Sequence, residues 1–84
     1  DPQRFVRGRL QHRRQREASV LDLLKAGDRT IPEIVTRVYT KLAPGLKPAA
    51  ALSVFAQLED MVERGLVLCE GAPVLEGTYW PNQQ

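Results

Sequence analysis

The sequence is poor in reactive side chains. Its 84 residues include one cysteine and one histidine. Cys69 alone excludes an internal disulfide, and His12, with no second histidine, cannot build a histidine-based metal cluster. A nucleophile–base pair of Cys69 with His12 would need a depressed thiol pKa, which the apolar neighbours Val67 and Leu68 oppose. Gly71 and Gly77 stand isolated, so there is no glycine-rich phosphate loop. The longest uncharged apolar stretch, Ala49 to Ala56, falls far short of the ~20 residues a bilayer span requires. Asp1-Pro2 is followed by arginines and not by an apolar leader, which makes a cytoplasmic location the expectation. Repeats and low-complexity segments are absent too. A composition of 43% hydrophobic and 26% charged residues excludes wholesale disorder. The length suits one small domain, close to the size at which a single core barely suffices.

The net charge of +2 conceals an asymmetry. Residues 1–16 carry six arginines (4, 7, 9, 13, 14 and 16) against Asp1, a balance of +5. Residues 17–84 carry six basic side chains against nine acids, a balance of −3. A basic arm on a mildly acidic body seeks phosphates, an anionic partner or the acidic face of a neighbouring domain.

Helical spacing from Arg9 through Leu10, Glu17, Val20, Leu21 and Leu24 predicts a first helix over about Arg9 to Ala26, with Gly27 as its C′ residue. Gly8 disfavours helix before it. Only the second half of this helix has an apolar stripe, so the first half is solvated or contacts something outside the domain. Thr30-Ile31-Pro32-Glu33 reads as a capping box with proline in the first turn. The second helix it opens presents Ile31, Ile34, Val35, Val38 and Tyr39 and is expected to end near Thr40 or Lys41. Pro44-Gly45 marks a turn. A third helix is predicted from Lys47-Pro48 to Arg64, closed by Gly65, with Ala51, Val54, Phe55, Leu58, Met61 and Val62 as its core stripe. Beyond it, Leu66 to Cys69 and Thr78 to Trp80 before Pro81 read as two short strands. Cys69 is expected to be buried, and the Tyr79–Trp80 strand end to pack on the first helix.

The order helix, helix, helix, hairpin is that of a mainly α winged helix-turn-helix, three helices plus a wing. The expected division is a basic linker or arm over 1–8, a winged-helix domain over 9–80 and a tail over 81–84. Winged helices serve as DNA readers and as protein-interaction modules, so function rests on the third helix and the wing. Facing away from the core stripe are Ser53, Gln57, Asp60 and Glu63. Gln57 can read adenine and Lys47 can touch a phosphate. The acids of the last two turns, with Glu70 and Glu76 in a wing that has no basic residue, oppose binding to a polyanion.

A family resemblance lies in His12-Arg13-Arg14-Gln15-Arg16-Glu17, Val20-Leu21, Gly27, Thr30-Ile31-Pro32-Glu33-Ile34-Val35 and Tyr39. It continues through Pro48-Ala49-Ala50, Ser53-Val54, Gln57-Leu58 and Gly65-Leu66-Val67. These residues resemble the C-terminal winged-helix domain of metallo-β-lactamase-fold hydrolases of the β-lactamase-like protein 2 family. The likeness covers about Arg9 to Leu68, most specifically in the HR-x-x-RE signature, and the wing adds nothing to it. Gln57 stands where the family often has a histidine.

The resemblance implies that the chain is a fragment that is not an enzyme by itself, with neither metal nor catalytic residue of its own. It implies a catalytic domain in cis that binds zinc through an HxHxDH-type motif. It further implies that His12, Arg13, Arg16 and Glu17 contact that domain or its substrate; apart from the resemblance, Arg14 and Lys47 are the expected phosphate contacts. The substrate would be RNA or another anionic compound. A free-standing DNA-binding regulator reading bases through Ser53 and Gln57 is the alternative, and no membrane partner is expected.

Overall fold

The computed structural model describes the backbone of residues 2–82 and the side chains of residues 14–82. Helix α1 runs over Pro2–Ala26, α2 over Ile31–Val38 and α3 over Lys47–Glu63, followed by strands β1 (Val67–Cys69) and β2 (Tyr79–Pro81). The strands pair antiparallel with Val67 opposite Pro81, Leu68 opposite Trp80 and Cys69 opposite Tyr79. This is the winged helix-turn-helix anticipated from the order of elements.

Helix α1 begins earlier than the expected Arg9 and passes through Gly8 without a break. One glycine costs about 1 kcal/mol relative to alanine, which neighbours of good helix propensity offset, and Pro2 suits a first helical turn. Its C-terminus closes as sequence suggests. Gly27 takes φ +122°, while the N–H groups of Gly27 and Asp28 donate to Leu24 and Leu23 at 3.1 and 2.9 Å. The Arg29 guanidinium also donates to the Leu24 and Asp28 carbonyls, each at 2.8 Å, so the helix end is satisfied from two sides.

At the start of α2 the Glu33 carboxylate accepts from the N–H groups of Arg29 and Thr30 at 3.1 and 3.0 Å. It also accepts from the Thr30 hydroxyl at 2.9 Å. The Arg29 N–H bond, foremost, and the two from Thr30 hold the Glu33 carboxyl below the ordinary glutamate range. The helix stops at Val38, short of Thr40, because Tyr39 leaves helical dihedrals while its N–H still donates to Val35. A 3-10 turn over Pro44–Leu46 then feeds directly into α3. Gly65, at φ +82°, ends α3 as Gly27 ends α1.

Val20 and Leu24 of α1, Ile31, Ile34 and Val35 of α2, and Ala50, Val54, Leu58 and Met61 of α3 form the core, closed by Val67 and Tyr79. Phe55, Ala51 and Val62, expected in the α3 stripe, are only half-buried at its flank, as are Leu21 and Val38. The third helix is rotated so that Ala50, not Ala51, enters the core, and the aromatic ring of Phe55 is displaced to the edge.

The hairpin is anchored chiefly through Tyr79, which is fully buried. Its N–H donates to the Arg29 carbonyl at 2.8 Å and its hydroxyl to the Val74 carbonyl at 2.5 Å. Burial, above all, pushes the phenol above its usual pKa. Pro81, read as following the second strand, belongs to it; with no N–H to offer it is tolerated in a two-stranded sheet where both strands are edges. Asn82 secures the base by donating from its backbone to Leu66 at 3.0 Å and from its side chain to Gly65 at 2.8 Å. Cys69, expected to be buried, is half-buried, its thiol 3.5 Å from the Gly71 carbonyl.

Candidate interaction surface

The side chains of His12 and Arg13 lie outside the described residues. Arg14 is exposed. Two positions further on, the Arg16 guanidinium lies 4.4 Å from the centre of the Tyr39 ring, a cation–π contact that fixes a half-buried cation on the α1 surface. Tyr39 was legible in the sequence as part of the α2 apolar face; its use as a platform for a cation depends on how α2 leans on α1.

Among the described residues Glu17 pairs across helices and not along its own. It accepts from Arg64, at the end of α3, at 2.5 Å, and Arg64 also reaches Asp60 at 2.8 Å. Glu17, foremost, raises the Arg64 pKa above its already high ordinary value. The acid of the HR-x-x-RE segment therefore fastens α1 to α3 within this domain.

Between α1 and α2 lies a groove of about 640 Å³, its walls including Arg16, Ser19, Asp22, Leu23, Arg37 and Val38. The Ser19 hydroxyl is turned back on the Gln15 carbonyl at 2.9 Å. Arg37 approaches the buried Asp28 carboxylate through its Nε at 3.4 Å, while its side chain stays 61% exposed. Neither Arg37 nor Asp28 belonged to any motif read from the sequence. An aspartate directly after a helix-ending glycine is ordinarily a solvated turn residue, and only the packed structure shows this one to be buried.

On α3, Ser53 is exposed, and Lys47 is exposed at its start. Gln57 does not share the outward face assigned to it. It is half-buried, with its Oε1 enclosed and no hydrogen-bond partner among the described residues. The outward face of α3 is instead Leu52, Ser53, Ala56, Glu59, Asp60 and Glu63, continued on the wing by exposed Glu70 and Glu76. A base-reading helix needs donors at that face and cations beside it for phosphate. This one offers carboxylates and apolar surface, which disfavours the reading as a DNA-binding regulator. Among the described residues no three His, Cys, Asp or Glu side chains are grouped to hold a metal ion. No described helix is long and apolar enough to cross a membrane.

A model of the beta-lactamase associated winged helix domain matches residues 30–78. The chain belongs to this family. The match begins at the Thr30 capping residue and stops just before β2, so it takes in β1 and the loop of the wing. It leaves α1 and its HR-x-x-RE segment outside the matched region. No curated protein and no solved structure matches the chain. The family's name associates the domain with proteins of the β-lactamase fold.

Proposed function

We propose that this beta-lactamase associated winged helix domain is the C-terminal accessory domain of a metallo-β-lactamase-superfamily hydrolase. It packs on the catalytic domain in cis and contributes the basic segment of α1 beside the substrate cleft. The observation that carries this reading is the family match over residues 30–78, joined to a helix that enters the matched region bearing arginines. Helix α1, roughly 37 Å long at 1.5 Å per residue, gives its buried core side chains from Val20 onward among the described residues. Arg14 and Arg16 precede that point, on a continuous helix with no flexible joint to the core.

In this reading His12, Arg13 and Arg16 form the contact with the catalytic domain or its substrate, Glu17 braces their helix from within through Arg64, and Arg14 and Lys47 meet phosphates of RNA or another anionic substrate. Guanidinium groups suit that work, since each can hold a carboxylate or phosphate with two parallel hydrogen bonds. Zinc in the catalytic domain would supply the hydrolytic chemistry, and the residues of this chain would bind and orient.

The coding sequence upstream of Asp1 is the first test. An HxHxDH-type motif there is the expected result, and an open reading frame starting at this domain overturns the proposal. With the whole protein in hand, Arg13→Ala and Arg16→Ala should lower turnover while leaving the melting temperature of the isolated domain nearly unchanged. Strong destabilisation of the domain with unaltered turnover would make the segment part of the local fold only.

A further inference from the structure

We infer that the groove between α1 and α2 is a docking surface for an acidic protein segment carrying apolar side chains, its carboxylates held by Arg16 and Arg37. The inference rests on the accessory-domain reading only for where that segment comes from, a neighbouring domain. The surface and its chemistry follow from the groove itself.

Both cations are positioned in advance. The Arg16 guanidinium carbon lies 4.4 Å over the Tyr39 ring, a cation–π contact that steadies the cation without using an anion to do so. Arg37 is steadied by Asp28 through Nε at 3.4 Å, which leaves its two terminal nitrogens for an incoming carboxylate. Among the described residues Arg16 has no carboxylate partner. Pre-positioned forks lose little entropy on capturing an anion, which favours affinity. Leu23 and Val38 supply apolar surface in the same groove as the two arginines, so a ligand that carries aliphatic side chains among acids matches the groove in both respects.

The same lining separates protein from nucleic acid. A polyphosphate backbone needs a continuous cationic track, whereas here Asp22 stands in the groove wall and no lysine lines it. A peptide can set its carboxylates at the two arginines and avoid Asp22.

The probe is a fluorescein-labelled peptide of repeated Glu-Leu-Asp triplets, titrated with this chain and followed by anisotropy. Its counterpart with Gln and Asn for the acids, and an oligouridylate, serve as comparisons. The acidic peptide should bind, with amide shifts at Ser19, Leu23 and Val38, and neither comparison should match it. Arg16→Gln with Arg37→Gln should weaken binding about tenfold or more. Because that pair of changes also removes support from Tyr39 and Asp28, Asp22→Lys provides the second arm. It alters an exposed helical position and should tighten the acidic peptide. Equal binding of the amide peptide, shifts confined to α3 and the wing, an unmoved affinity in Asp22→Lys, or tighter capture of the oligouridylate would each overturn the inference. Any of these would leave the accessory-domain reading intact, since the upstream coding sequence decides that separately.

Discussion

Glu17 and Arg64 are 47 positions apart and meet at 2.5 Å, joining the middle of α1 to the C-terminus of α3. Both side chains are partly solvated, at 29% and 45% exposure. The pair therefore orients the helices more than it stabilises them. Glu17→Gln should lower the melting temperature slightly at low ionic strength, and the difference should shrink as salt is added. A loss that persists at high salt would mean that Glu17 acts through packing rather than charge.

Leu58 and Phe55 occupy the same helix but not the same depth, the first fully buried and the second at the flank. Leu58→Ala is expected to cost about 2–5 kcal/mol, enough to threaten a domain of this size. Phe55→Ala should cost less, because part of the ring is already in water. Urea unfolding of the two variants checks the order, and a larger loss from Phe55→Ala would place the α3 rotation in error.

Hydrogen bonds from Arg29 and Thr30 depress the Glu33 pKa in the folded chain. A carboxyl of this kind lends stability that is fully present above its ordinary pKa and is lost as pH falls through the depressed folded value. The melting temperatures of the parent chain and Glu33→Gln should differ at neutral pH and converge in acid. A gap that stays constant down to strongly acidic pH would remove the charged capping box as its source.

Among the described residues Asp28 is the one charged residue that is buried, its side chain 6% exposed and its Oδ2 without a hydrogen-bond partner. Arg37→Ala would leave that carboxylate uncompensated. The expected cost is about 1–2 kcal/mol, below that of a fully buried pair because Arg37 is largely solvated. Asp28→Asn should restore much of the loss in the Arg37→Ala background. A double-mutant cycle by chemical denaturation measures the coupling, and strictly additive effects would show that the 3.4 Å approach carries none.

The local signals of this sequence were sufficient for its elements. Gly27 and Gly65 end helices because each adopts a positive φ that other residues resist, and Thr30 with Glu33 opens a helix because both partners lie within one turn. Such devices are satisfied by residues three or four apart, so they are readable without the fold, and with the hairpin signals they determined a winged helix. The candidate surface was legible only as an excess of arginine in the first helix. Spacing says that a helix has an apolar face but not how far it rotates against its neighbours. That rotation sent Phe55 to the flank, enclosed Gln57 and brought Ala50 inward. It also paired Glu17 with Arg64, Arg16 with Tyr39 and Arg37 with Asp28, contacts between side chains on different elements. The sequence by itself determined the helix ends at Gly27 and Gly65, the helix start at Thr30, and that one end of the chain is basic. Only the packing of α1 against α2 and α3 decided which charges are neutralised inside the domain and which face outward for a partner.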